Sequence, residues 1–514
     1  MRNKKLNQLM MLLLFNALFN IAAYGEPQAS NELSTATHTV ESSLPKVLQL
    51  EERLIRAYES LQEKKSSEGD YMDRISAAYE SLGEDAKTQL RDDSRKAKAG
   101  TDPGIQNLLR VIESTESELT EFQALYDEYN EAKFDYLIDR YTEFGTEAIK
   151  EAERSGTGEK RLSELEQSLE KMRKLRSAYY ENKGNEGTNA DRPRGQSFRR
   201  FLWEFDTLLR KSAQRLRSPS EFIRIGIDGI LRPLKLVGKL IAAAPHLPNL
   251  YFKLRKGNGI VEALGKVVKA VNSVDGIQMN LAGAENIAKQ TPPGQINVYA
   301  GMHPHSLFDL LSIAKMNIKK PLVLTALAPG IMKEGMENSD EFIIVKQSNK
   351  NPAALAAEKF RSGAAESLII YPEGMMNLWG YETRPAQKNF VLLLKLLKKE
   401  GFKINLIPFS QPDNYHMGET QKAGVGPLDK TQLTTHIHKP IPPELVDVLL
   451  DLGDKQTLAR VIRQQWIDSQ SQARRKTSPD AAGMPTAKTW LSAFDDQKAQ
   501  LSRCSVWLSK LGAN

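Results

Sequence analysis

One cysteine, Cys504, stands in a chain of 514 residues. That scarcity excludes an intramolecular disulfide framework and any zinc site built from clustered cysteines, so stability must rest on packing. The Gly-x-Ser-x-Gly turn that seats the nucleophile of many serine esterases is also absent. Long hydrophobic runs are missing as well: the apolar stretch from Leu9 to Ala23 has about 15 residues, against the ~20 that span hydrocarbon comfortably. A multi-span membrane protein is thereby excluded. What is present is a globular composition, 40% hydrophobic and 26% charged, with length for roughly three units of about 150 residues. The net charge of +7 favours anionic surfaces in sum, but it is unevenly distributed.

Arg2, Lys4 and Lys5 precede the Leu9 to Ala23 stretch, which closes on Ala23-Tyr24-Gly25 before Glu26. A charged start, an apolar middle and a small-x-small end form the grammar of an export signal. Residues 1–25 are therefore expected to act as a signal peptide and the rest to be exported, periplasmic or membrane-associated. No cysteine follows the apolar stretch, so a lipid-modified amino terminus is not expected.

Residues 40–183 are rich in Glu, Lys, Leu, Ala and Tyr, with Leu48, Leu50, Leu54, Ile55, Tyr58 and Leu61 at helical spacing. The pattern predicts an antiparallel helical bundle or coiled hairpin, interrupted near Gly69, Gly100 to Gly104 and Gly156 to Gly158. Ala57 to Leu61 recurs as Ala78 to Leu82, an offset that suits a coiled seam. Residues 51–180 sum to roughly −9, which fits a solvated acidic face, so the positive excess lies elsewhere. Residues 184–197 hold almost no apolar side chain and predict a linker. The next stretch, 198–273, opens with a basic amphipathic segment, Phe198 to Lys256, in which Lys and Arg interleave with Phe201, Trp203, Phe222, Ile225, Leu231 and Val237. Such a segment suits either an anionic lipid interface or packing on the following domain with its cations in water. No nucleic-acid module is recognisable, and nucleic acid is not an expected partner.

From about Ile277, and across residues 274–468, strands and helices alternate. The strands are predicted at Ile296 to Ala300, Leu322 to Thr325, Phe342 to Val345, Ser367 to Tyr371, Ile404 to Phe409 and Thr435 to His438. Helices are predicted at Leu307 to Lys315, Pro352 to Arg361 and Ala386 to Lys399. The alternation implies an α/β domain with a largely parallel sheet flanked by helices, preceded by the all-α hairpin or coiled region. Residues 469–514 read as a polar tail ending in a short helix, Trp490 to Leu511.

Two loops carry polar residues directly after a strand, where α/β sheets place their sites. One runs through His303-Pro304-His305-Ser306-Leu307-Phe308-Asp309, the other through Tyr371-Pro372-Glu373-Gly374. With Gly283-Ala284-Glu285-Asn286 before them, Ile344-Val345-Lys346-Gln347 between them, and Leu406-Ile407-Pro408-Phe409 and Pro440-Ile441-Pro442 after them, these stretches keep a fixed order. The ordered set resembles the glycerolipid acyltransferase superfamily, which includes bacterial lysophosphatidate acyltransferases, over about Val274 to Trp466. His303-Pro304-His305 also resembles the His-Pro-His-Gly element of its diacylglycerol acyltransferase branch, with Ser306 in place of the glycine. In this chain Asp309 follows His305 by four positions, where the family pattern has five, and Gln347 takes the place of a phosphate-binding arginine, with Lys346 beside it.

The resemblance implies transfer of a fatty acyl group to a hydroxyl of a lysophospholipid or related glycerolipid at a membrane surface, with no cofactor. The chemistry of the residues is compatible with that. Acyl transfer needs a base near neutral pKa to take the hydroxyl proton, and imidazole is such a group. On a helix beginning after Pro304, His305 and Asp309 share one face, so the carboxylate can orient the ring. His305 is the candidate base, Asp309 its partner, and His303 a loop-orienting residue. Pro372, Glu373 and Gly374 are candidates for holding the acceptor, with Lys346, Gln347 and Arg384 beside it. The implied partners are an acyl donor (acyl-CoA, acyl carrier protein or a phospholipid), a lipid acceptor, a peripheral membrane surface and a protein docked on the helical region. Two alternatives stand beside this reading. One is an inactive acyltransferase-like binding protein. The other is a metal-dependent hydrolase using His303 and His305 with Asp309, His436 and His438, although His436 and His438 also fit a solvent-facing pair on a strand.

Overall fold

The computed structural model describes residues 40–92, 94–154, 163, 166–167, 170, 173–174, 237–274, 277–302, 306–325, 333–345, 351–373, 383–411, 431–454 and 456–477. The expected signal segment 1–25, the linker 184–197, most of Phe198 to Lys256 and the helix Trp490 to Leu511 lie outside the described residues.

The amino-terminal helices are α1 (Val40–Glu68), α2 (Tyr71–Glu80), α3 (Glu84–Asp92), α4 (Ser94–Ala99) and α5 (Pro103–Arg154). The breaks at Gly69 and at Gly100 to Gly104 fall where the glycines predict them. The 52 residues of α5 rise about 78 Å. Leu119, Phe122, Tyr126, Tyr129, Ala132 and Tyr136 are buried at three- and four-residue spacing, and Val47, Leu50, Leu54 and Tyr58 of α1 share one core with the four aromatic rings. Polar pairs fix the direction. Tyr129 donates to Glu51 at 3.1 Å while Lys64 pairs with Glu118, so α1 and α5 run antiparallel. The apolar seam therefore lies between α1 and α5. The Ala57 to Leu61 recurrence does not form it, because Gly69, at φ +91°, ends α1 before the second copy begins on α2.

The α/β part opens with α6 (Leu247–Lys256), α7 (Ile260–Val274) and β1 (Ile277–Ala282). It continues with β2 (Gln295–Gly301), α8 (Ser306–Met316), β3 (Pro321–Thr325), α9 (Lys333–Glu337) and β4 (Phe342–Ile344). Then come α10 (Pro352–Arg361), β5 (Ser367–Ile370), α11 (Lys388–Lys399), β6 (Lys403–Ser410), β7 (Thr431–Ile437), α12 (Pro443–Asp451) and α13 (Thr457–Thr477). The seven strands form one sheet in the order β1-β7-β6-β2-β5-β3-β4. β6, β2, β5, β3 and β4 are mutually parallel, whereas β7 pairs antiparallel with β6 and parallel with β1. The sheet is largely parallel, as the alternation of elements predicts.

Both faces of the sheet are covered, which is why its parallel strands β3, β4 and β5 are mostly apolar, whereas β1 and β7 carry polar residues. Ile296, Val298, Ala300, Leu368 and Leu406 face a core shared with α10 to α13 and with the start of α5. Tyr299, Val323, Ile369, Ile407 and Phe409 face α6, α7 and α8. The helices read from sequence as a basic unit ahead of the domain thus form one of its layers. A second difference concerns the proposed tail at 469. α13 runs without interruption to Thr477, and Ser469, Gln470 and Ser471 on it are buried. Their polarity gives no warning of burial, because hydrogen bonds rather than apolar contact keep them inside. No helix among the described residues is long and apolar enough to cross a membrane.

Candidate functional site

The parallel pairing of β2 with β5, with Ala300 opposite Ile370, brings the two polar loops out of neighbouring strands at the same sheet edge. β6 lies on the other side of β2, with Gly301 opposite Phe409. Gly301 is required there. A Cβ at this position would lie 2.2 Å from the Phe409 ring, so any larger residue would push β2 away from β6 at the mouth of the loop.

His303, Pro304 and His305 lie outside the described residues, and α8 begins directly after them at Ser306. Asp309 sits in the first turn of α8 and is 3% exposed. A carboxylate near a helix amino terminus is favoured by the helix dipole. Tyr371, just past β5, is close enough to feel it: burial pushes the Tyr371 phenol well above its ordinary value, and the Asp309 charge adds to the rise. The Tyr371 ring meets Phe409 edge-on at 5.8 Å.

Glu373 follows at once and is 2% exposed. Its Oε2 accepts from the backbone N–H of Arg384 at 3.2 Å, and its carbonyl accepts from Gln387 Nε2 at 3.3 Å. The Gln387 N–H donates to the Pro372 carbonyl at 2.8 Å. The segment 383–387 therefore lies across Pro372 and Glu373, and Arg384 reaches Glu373 through its main chain. Gly374 lies outside the described residues. So do Lys346 and Gln347, which follow β4 in sequence; β4 itself lies three strands from β2, about 14 Å across the sheet.

The remaining motifs act on the backbone. Gly283 adopts φ +72°, and a Cβ there would lie 2.1 Å from the Ile437 carbonyl. Asn286 Nδ2 donates to that same carbonyl at 3.0 Å. Gly283-Ala284-Glu285-Asn286 thereby ties the end of β1 to the end of β7, and Glu285 is exposed. Leu406 exchanges hydrogen bonds with Ile441 at 3.0 and 2.7 Å, and Pro408 accepts from the His438 N–H at 2.9 Å. Two stretches far apart in sequence, Leu406 to Phe409 and Pro440 to Pro442, are neighbours along one antiparallel seam.

A layer of buried polar side chains beneath this edge is not marked by any motif. Ser410 Oγ lies 3.0 Å from His438 Nε2 and 2.9 Å from Ser469 Oγ of α13. Ser312 of α8 bonds Thr435 at 2.8 Å and also accepts from Gln411. Gln470 Nε2 reaches Sδ of Met302, the residue before His303, at 3.2 Å. His436 and His438 are both partly buried, so a solvent-facing pair is ruled out. Burial, with smaller contributions from His436 and Lys65, pulls the His438 imidazole down to about 3 and keeps it neutral. Among the described residues no group of three or more His, Cys, Asp or Glu side chains is arranged to hold a metal ion.

Comparison with models of protein families and with curated proteins gives no match. Among solved structures, the chain is similar to the 1-acyl-sn-glycerophosphate (LPA) acyltransferase PlsC from Thermotoga maritima, with a TM-score of 0.34 and 13% identity. The similarity covers 47% of this chain and 97% of that one.

Proposed function

We propose that the protein is an O-acyltransferase acting on a glycerolipid acceptor, with His305 as general base, Asp309 as its orienting carboxylate and the Glu373 loop as the acceptor site. The observation that carries this reading is the adjacency of β2 and β5. β2 leads in sequence into His303-Pro304-His305 and its neighbour β5 into Tyr371-Pro372-Glu373, and Asp309 and Glu373 are both withdrawn from solvent. The ordered motifs support the same assignment. General-base help to a hydroxyl, rather than a covalent intermediate, is the economical chemistry for such a pair: the imidazole takes the hydroxyl proton as oxygen attacks the acyl carbonyl, and the carboxylate steadies the imidazolium. The tetrahedral adduct then collapses by breaking the bond to the donor's thiol or hydroxyl leaving group, which receives the proton back from the imidazolium. Lys346 and Gln347 are proposed to bind farther parts of a substrate.

A membrane-facing surface is proposed on the α6 side of the molecule. Val237 and Ile241 on the helical segment 237–243, and Tyr251 and Phe252 on α6, are exposed at 49%, 67%, 36% and 52%. Lys239, Lys253, Arg255 and Lys256 accompany them, which is the chemistry of an anionic lipid interface. Export, if residues 1–25 direct it, separates the site from acyl-CoA and acyl carrier protein and makes a phospholipid the donor. The test of the catalytic assignment is His305→Ala: turnover should fall roughly 100- to 10,000-fold with the Tm unchanged. Undiminished turnover would remove His305 from the mechanism.

A further inference from the structure

Arg463 of α13 is 3% exposed and carries a buried charge on a helix otherwise read as a packing element. Its Nε and Nη2 both donate to the Thr383 carbonyl, at 3.2 and 2.7 Å. Its Nη1 donates to Asp127 Oδ2 at 2.9 Å, and its guanidinium lies over the Tyr126 ring, 5.5 Å from the centroid. The Tyr126 hydroxyl in turn accepts the Thr383 N–H at 3.3 Å. A buried guanidinium demands such partners, because an unmatched charge there would be strongly destabilising.

The consequence for the site follows from peptide geometry. The Thr383 carbonyl and the Arg384 N–H belong to one peptide plane, and the described chain contains no cis peptide bond. In a trans plane these two groups point in opposite directions, so fixing the carbonyl aims the N–H. Here that N–H is the donor to Glu373 Oε2 at 3.2 Å. A cation on the carbonyl also polarises the plane and strengthens the donor on its far side. We propose that Arg463, held by Asp127 and Tyr126 of the helical hairpin, is a positioning residue that orients Glu373 through this single peptide plane. The hairpin is then part of the acceptor site rather than an appended module. The functional part of this inference rests on the acyltransferase reading; the mechanical part does not.

Double-mutant cycles on the full chain separate the two. Arg463→Lys keeps the charge and loses the fork, and Glu373→Gln keeps the shape and loses the charge-assisted bond. The cycle is read first as thermal midpoints, without substrate. The double variant should lose less than the two singles together, by about 2 °C or more. It is read next as kcat/KM for a lysophospholipid. Arg463→Lys should cost about tenfold with Glu373 present and less than twofold with Glu373→Gln, the pattern of residues acting as one unit. If Arg463→Lys does not fold, Tyr126→Phe, which deletes one acceptor, runs the same cycle. Additive midpoints would overturn the positioning role, and coupled midpoints with additive kinetics would overturn its bearing on the site. A native chain that turns over no lysolipid rejects the acyltransferase reading, while the midpoints still decide the link.

Discussion

At the scale of single residues, the site joins groups that sequence marks plainly and groups it conceals. Asp309 and Glu373 stand out because each follows a strand in a polar loop, and both are buried at the same edge. His438 was visible only as one of a histidine pair, since nothing in Thr435-His436-Ile437-His438 reveals that Ser410 and Ser469 would enclose it. Its neutrality has a measurable consequence. With the folded imidazole pulled down to about 3, against an ordinary 6.5, the unfolded chain takes up a proton that the folded chain refuses. This group therefore leaves stability unchanged above pH 6.5 and lowers it progressively as pH falls from there toward 3. Denaturant midpoints measured across that range should decline less steeply in His438→Gln than in the native chain. Identical slopes would show that the ring is not held neutral.

At the scale of elements, strand and helix periods were legible wherever one face or one stripe is apolar. Asn351 capping Ala353 at 2.9 Å with Pro352 in the first turn fixes the start of α10 where Pro352 predicts it. β1 is hard to read as a strand, although Ile277, Met279 and Leu281 alternate with polar residues, because six residues at the end of a helical stretch give a weak signal. The length and role of α13 were hidden for a different reason. Arg463 and Gln470 occupy the same stripe as Ala459 and Trp466, so polar residues fall where an amphipathic pattern expects apolar ones. The clue was the stripe itself, in which a charged residue spaced with core residues signals an internal partner. The hairpin is more transparent. Leu54, fully buried between α1 and α5, should cost about 2–5 kcal/mol when replaced by Ala, as read by denaturant unfolding. A loss within 0.5 kcal/mol, the range of surface changes, would mean that α1 does not pack as described.

At the scale of the whole molecule, the helical region and the sheet form one continuous structure. Lys65 of α1 bonds Asp468 of α13 at 3.1 Å, Arg460 reaches Glu116 of α5 at 2.6 Å, and Arg463 reaches Asp127. Composition separates these regions by charge, yet the charge difference is also what lets acidic α5 pair with basic positions on α13. The exposed apolar residues on the α6 side, with their neighbouring cations, lead to a prediction for the intact protein. It should float with vesicles containing anionic phospholipid, less so as salt rises, and paired Ile241→Glu and Phe252→Glu changes should lower the bound fraction at least severalfold. Binding indifferent to both changes and to salt would contradict a membrane-facing role for this surface. The most direct measurement of the central claim is mass spectrometry of lysophospholipid incubated with the native chain and, in turn, acyl-CoA, acyl carrier protein and phospholipid donors. The account predicts a diacyl product from at least one donor, reduced at least 100-fold in His305→Ala; no product from any donor, or equal product from the variant, would contradict it.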